Sequence, residues 1–154
     1  MAKYNITEKR EKKAVYRTMI NQQLMEQLRD KILKAVSMQK KYRDKHFTAR
    51  RLAEELGTNT RYVSAVVNLC FKRNYTSFVN GYRIEEAKTV LTDPEALQLT
   101  MADISDMVGF SNRQSFYASF YRMTGMTPRE YRRKHMPEGQ QTDCGTKEES
   151  LAQD

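Results

Sequence analysis

Two stretches of the chain share one layout, and that repetition constrains the fold more than any average property does. LAEELGTNTRYVSAVV, from Leu52, and ISDMVGFSNRQSFYASF, from Ile104, each read as an apolar helix, a glycine, a short capped turn and a second amphipathic helix. Gly57 matches Gly109 at an offset of 52. One extra residue in the second turn makes the offset 53 beyond it, which pairs Val63 with Phe116, Val67 with Phe120 and Phe78 with Tyr131. A supersecondary unit that recurs must solve the same burial problem twice, so both copies should pack alike.

Local signals in the second copy are dense. Thr100 can cap a helix by accepting from the backbone N–H of Asp103, an acid well placed in an electropositive first turn, with Leu99 and Ile104 as a hydrophobic staple. Ile104, Met107 and Val108 form an apolar stripe, and Gly109 ends the helix where positive φ is easiest. Ser111 is read as the next cap, with Gln114 completing a capping box; Phe116 and Phe120 fall one turn apart on the buried side, opposite Arg113, Gln114, Tyr117 and Tyr121. Thr127, Pro128 and Glu130 start a further helix, with Met126 and Tyr131 as its staple. In the first copy Thr48, with Phe47 and Leu52, repeats the cap of Thr100. This is the outline of two helix-turn-helix units. An ordinary helical hairpin would carry similar caps, but a matched pair of them argues against coincidence. Between the copies Tyr75 to Leu91 reads as one helix with Phe78, Tyr82, Ala87, Val90 and Leu91 inward, stopped by Asp93-Pro94. At about fifteen residues it would be a stiff strut of roughly 22 Å.

These residues resemble the DNA-binding domain of the AraC/XylS family of bacterial transcription regulators over roughly Leu24 to His135. The resemblance is carried by LAEELGTNTRYVS, by YRIEEAKTVL with Arg83, Ile84 and Ala87, and by Gly109-Phe110, Phe116, Phe120 and TGMTPREYR. Lys72 departs from it, standing where the family usually has the glycine that ends the first reading helix, as Gly125 does in the second. The resemblance implies an all-α fold of about seven helices: a basic helical extension over residues 1–23, a DNA-binding domain over 24–136 and an acidic tail over 137–154. The two units fall at about 48–73 and 100–125, joined by a linker helix at 75–91. It also implies that the strut sets two reading helices in successive major grooves on one side of double-stranded DNA, about 34 Å apart, as a monomer on an asymmetric site of about 20 base pairs. A separation shorter than that would require bending the DNA, at about 1–6 kcal/mol.

By position, the family's base-reading sites fall on Arg61, Ser64 and Ala65 and on Arg113, Gln114, Tyr117 and Ala118. Residue type agrees for the planar donors and amides, as Arg to guanine or Gln to adenine, while Ala65 can touch a thymine methyl. Both alanines replace longer side chains common in the family, which shifts weight toward reading DNA shape. Asn59, Thr60, Asn68, Ser111, Asn112, Tyr121, Arg122 and Arg129 are assigned to the DNA backbone as short polar groups or flanking cations.

Charge distribution supports a polyanion partner. The net charge of +8 divides into 13 basic and 5 acidic residues over Met1–Lys45, 13 and 9 over His46–Met136, and 1 and 5 over Pro137–Asp154. Basic surfaces also suit RNA or anionic membranes, so a helical module binding RNA or protein is the alternative class. Lys9 to Lys41 reads as continuous helix with a drifting stripe of Tyr16, Ile20, Leu24, Leu28, Ile32 and Val36, of which Leu24 to Met38 is taken as the first helix of the domain. Its earlier half is open between a solvated extension, a subunit contact and a phosphate-touching arm. The tail lacks apolar periodicity, and disorder is expected there.

The length suggests one modest core. No membrane span or signal peptide is visible, which points to the cytoplasm and the bacterial nucleoid. Cys70 is expected to be a buried thiol and Cys144 an exposed one. His46 and His135 lack partners at metal spacing, Asp103 has a capping task, Asp106 is expected to face water, and there is no Gly-rich phosphate loop; neither an enzyme nor a cofactor is expected. RNA polymerase is expected as a second partner and no small-molecule effector domain is expected in this chain, while activation and repression stay open. The Met start and basic arm favour a complete small protein over a fragment of a larger sensor-regulator.

Overall fold

The computed structural model describes residues 21–136, and within them the chain is all helix and connecting loop. Helix α1 covers residues 21–33 and widens into a π-type turn, Lys34–Met38, closed by Gln39 N donating to Lys34 O at 3.0 Å. Lys40 takes left-handed φ of 50°, which breaks the continuous helix expected to Lys41, and one tight turn, Lys41–Arg43, follows. Then come α2 (Ala49–Glu55), α3 (Thr60–Phe71), α4 (Tyr75–Leu91), a short turn at Pro94–Ala96, α5 (Met101–Met107), α6 (Arg113–Thr124) and α7 (Pro128–His135). Tyr16, Ile20, Cys144, the acidic tail and nearly all of the basic extension lie outside the described residues.

Side-chain caps explain most boundaries. Thr48, Asn59, Asn74, Thr100, Asn112 and Thr127 each accept a backbone N–H from the third residue on, satisfying a donor that the first helical turn leaves unpaired. Thr100 with Asp103, and Thr127 with Glu130, close as capping boxes. In both boxes the threonine's hydroxyl and backbone N–H hold the carboxyl below its ordinary range.

One cap differs from expectation. Asn112, not Ser111, starts α6, its Oδ1 accepting from Ser115 N at 2.8 Å. The physical reason lies in the turn: Phe110 is drawn into the core, 3% exposed, and Ser105 Oγ donates to Asn112 O at 3.4 Å, so Ser111 is consumed in the climb between them.

Two apolar clusters form instead of the single core expected. The first gathers Ile32, Val36, Tyr42, Phe47, Leu52, Val63, Val67, Phe78 and Val79; the second gathers Ile84, Ala87, Leu91, Ile104, Val108, Phe110, Phe116 and Phe120. Helix α4, at 17 residues roughly 25 Å long, contributes its first half to one and its second half to the other. Its Arg83 and Arg132 of α7 act as tethers: Arg132 donates to the carbonyls of Leu91, Leu99 and Ala96 at 3.3, 3.3 and 3.5 Å. Tyr75 donates its hydroxyl to Phe47 O at 3.2 Å, and burial pushes its pKa up.

Three side chains expected to be inside are not. Leu24 is 58% exposed, because α1 meets the first core only from Met25 and Leu28 onward. Met107 is exposed, whereas Met101 at the start of α5 packs in the second core. Cys70 is exposed, since in the last turn of α3 it is Phe71 that turns to the core.

Lys72 ends α3 in the left-handed conformation, φ 55°, its N–H donating to Asn68 O, just as Gly125 ends α6 at φ 76°. The helix therefore stops at the family position despite the substitution. A β-carbon there costs about 1–2 kcal/mol against a glycine, partly offset by the greater entropy glycine loses on folding. Lys72→Gly is expected to stabilise the domain by about 0.5–1 kcal/mol in urea unfolding; a lower midpoint would show that Lys72 makes a compensating contact.

Candidate nucleic-acid interface

The faces of α3 and α6 that turn away from the cores carry the assigned residues in matched register. On α3, Val63, Val66 and Val67 are buried, which turns Thr60, Arg61, Ala65 and Asn68 outward and leaves Ser64 half-buried at the edge. On α6, Phe116, Ser119 and Phe120 are buried; Arg113, Gln114, Ala118, Tyr121 and Arg122 face solvent, with Tyr117 half-buried beside Phe116. Asn59 and Asn112 cap the two helices through Oδ1, so their amide N–H groups stay available as donors at the helix entrance. Ser111 is exposed in the turn before α6, and Arg129 is exposed in the first turn of α7.

The structure thus gathers Thr60, Arg61, Ala65 and Asn68 on an exposed face of α3 and Arg113, Gln114, Ala118, Tyr121 and Arg122 on an exposed face of α6, with Ser64 and Tyr117 half-buried and Ser111 and Arg129 outside both helices. It also adds two residues that sequence reasoning passed over. Tyr62 and Leu69 are 62% and 56% exposed on one flank of α3, beside Ala65. At offset 53 their counterparts on α6 are Ser115 and Arg122, so the first face is the more apolar of the two. The buried triplet of valines could have revealed this, because positions 62 and 69 fall outside its arc.

Ion pairs elsewhere in the described residues include Lys45 with Asp106, Arg43 with Glu86, Arg51 with Asp44 and Lys41 with Glu55. Asp106, expected merely to face water, is exposed and paired across the two units. Among the described residues no group of three or more His, Cys, Asp or Glu is placed to hold a metal, and no helix is long and apolar enough to cross a membrane.

The family model described as a helix-turn-helix domain matches residues 52–134, which runs from α2 into α7 and includes both exposed faces. The chain belongs to the AraC-type helix-turn-helix family. Relatives of this AraC-type chain include the melibiose operon regulatory protein of Escherichia coli K12, 24% identical over 90 residues, covering 58% of this chain and 29% of that one. YobQ of Bacillus subtilis, an uncharacterised HTH-type transcriptional regulator, is 32% identical over 85 residues, covering 55% and 34%. The match therefore spans about a third or less of these relatives' own length. Among solved structures, the C-terminal domain of AraT, a response regulator from Geobacillus stearothermophilus, superposes with a TM-score of 0.61 at 22% identity, covering 79% of the AraC-type chain and 92% of that domain. That likeness shows the shared fold.

Proposed function

We propose that the chain is a sequence-specific transcription regulator that sets α3 and α6 into successive major grooves on one side of double-stranded DNA. The observation that carries this reading is the matched exposure of two reading faces, offset by 53 residues, on units that share a strut. Arg113 and Gln114 in the first turn of α6, with Tyr117, read base edges, as do Arg61, Ser64 and Ala65 on α3; Ala118 lies close to the groove floor without a donor. Asn59, Thr60, Asn68, Ser111, Asn112, Tyr121, Arg122 and Arg129 meet phosphates and fix the register. RNA polymerase is the second partner in this reading, and the site of action is the nucleoid.

Competition tests it directly. Duplex DNA selected by the protein from a random library should displace a labelled copy of itself far better than RNA or random duplex does. Equal competition by RNA would move the protein to the alternative class, an RNA-binding helical module. Within the interface, Arg113→Ala is expected to cost about 1–3 kcal/mol and to relax preference at one base pair, whereas Arg122→Ala weakens all sequences alike. Identical losses on every sequence for both variants would overturn the division of roles.

A further inference from the structure

We propose that Arg83 is a positioning residue that fixes the spacing and angle between the two reading helices, and so sets the half-site spacing the protein accepts. The statement about spacing rests on the DNA reading above; the statement about rigidity does not.

Arg83 lies midway along α4, between Tyr82, which packs on the first core, and Ile84, which belongs to the second. Its guanidinium is a three-way junction. Nε donates to Tyr42 O at 2.7 Å and Nη2 to Asp44 O at 3.0 Å, both in the loop that leads into α2. Nη1 donates to Asn80 Oδ1 at 3.0 Å, one turn back on α4, and Asn80 Nδ2 reaches Ser119 Oγ at 3.4 Å, a buried group on α6. The guanidinium carbon sits 5.5 Å from the centroid of Phe110, in the turn of the second unit. One side chain therefore joins the first unit's entry loop, the strut and the second unit.

The same loop is also approached by the second unit's backbone. Gly109, at φ 100°, packs so closely that a β-carbon there would lie 2.2 Å from Tyr42 O and 2.8 Å from both the carbonyl carbon and oxygen of Arg43. The second unit's turn thus meets first-unit backbone directly, at the same loop whose carbonyls Arg83 holds. Lys45 with Asp106, an exposed pair that contributes little, and Arg43 with the half-buried Glu86 lie near this junction. The guanidinium is suited to the task where an ammonium is not: it offers several donors in one plane and an apolar face for the Phe110 ring. Burial lowers its affinity for the proton, and three acceptors compensate the partly desolvated cation.

The test uses the full chain with Cys144→Ser, spin-labelled at the exposed native Cys70 at the end of α3 and at Met123→Cys on α6. Double electron–electron resonance without DNA should give a narrow distance distribution for Arg83 and a broad one for Arg83→Lys, with helix content unchanged. On bipartite duplexes selected by the unsubstituted chain, inserting about two base pairs between the half-sites rotates one against the other by roughly 70°. The affinity penalty for that insertion should be about tenfold smaller in Arg83→Lys, since a looser joint tolerates a mismatched span better. Should Arg83→Lys not fold, Phe110→Leu removes the ring beneath the guanidinium while keeping apolar volume, and broadening is expected there too. A distribution as narrow as the unsubstituted one, with an unchanged insertion penalty, overturns the proposal. Broadening in a protein that binds no duplex would instead uphold the rigid joint and sink the DNA reading.

Discussion

Phe116→Ala is expected to destabilise the domain by about 3–5 kcal/mol, the range for removing an aromatic ring from a close-packed core. The ring is fully buried and contacts Phe110, Tyr117 and Phe120 at centroid distances of 5.4, 5.9 and 5.8 Å, the latter two edge-on. It shares its cluster with other rings and with the branched side chains of Ile84, Ile104 and Val108, which have little freedom to fill the space. Against a total stability of about 5–15 kcal/mol for a domain, such a loss leaves the fold marginal or unfolded at room temperature. Its counterpart Val63, equally buried but smaller, should cost less when truncated. Urea unfolding monitored by circular dichroism measures both, and an unchanged midpoint for Phe116→Ala would mean that the second cluster is not what holds α6 in place.

Affinity for DNA is expected to fall roughly 10³- to 10⁵-fold between 50 and 200 mM salt if six to ten phosphates are neutralised, because each neutralised phosphate releases condensed counterions. That number of phosphates requires lysines and arginines beyond the two helix faces, because the assigned phosphate set holds only two cations, Arg122 and Arg129, and neutral amides release no counterions. Arg61, Arg113, Arg122 and Arg129 are exposed at or beside the reading faces, and the amides of Asn59 and Asn112 stand at the two helix entrances. Removing one cation that only meets phosphate, as in Arg122→Ala, should lower the slope of log affinity against log salt by about one. A flat response would leave no place for the phosphate contacts assigned to these residues.

Features encoded within a few residues were legible in the chain. Thr48, Thr100 and Thr127 cap where their spacing to the third residue and the flanking apolar pairs said they would, and α4 begins and ends at Tyr75 and Leu91 as its pattern indicated. The cap of α6 is ambiguous in the chain because Ser111 and Asn112 are nearly equivalent as caps, and only the burial of Phe110 decides between them. The repeat already held the answer, since Asn59 plus 53 is 112. Leu24 and Met107 lie outside the cores for another reason: periodicity gives the direction of a stripe but not how far along the helix its partner extends. The tethers of Arg83 and Arg132 had no local signal at all. Their acceptors are backbone carbonyls, most of them 33 to 41 positions away, and a carbonyl leaves no mark on residue identity. The candidate interface was readable as residue types at the starts of two helices, while the apolar flank of Tyr62 and Leu69 needed the orientation of α3 to be seen.

Helix α4 leaves the molecule without a seam. Phe78 and Val79 are sealed by one half of the protein, and Ile84, Ala87 and Leu91 by the other, so a proteolytic nick or premature stop between the halves would wet whichever side lost its cover. Each half therefore depends on the same helix for its cover, and a sequence change in α4 that loosens one hydrophobic cluster is felt by the other.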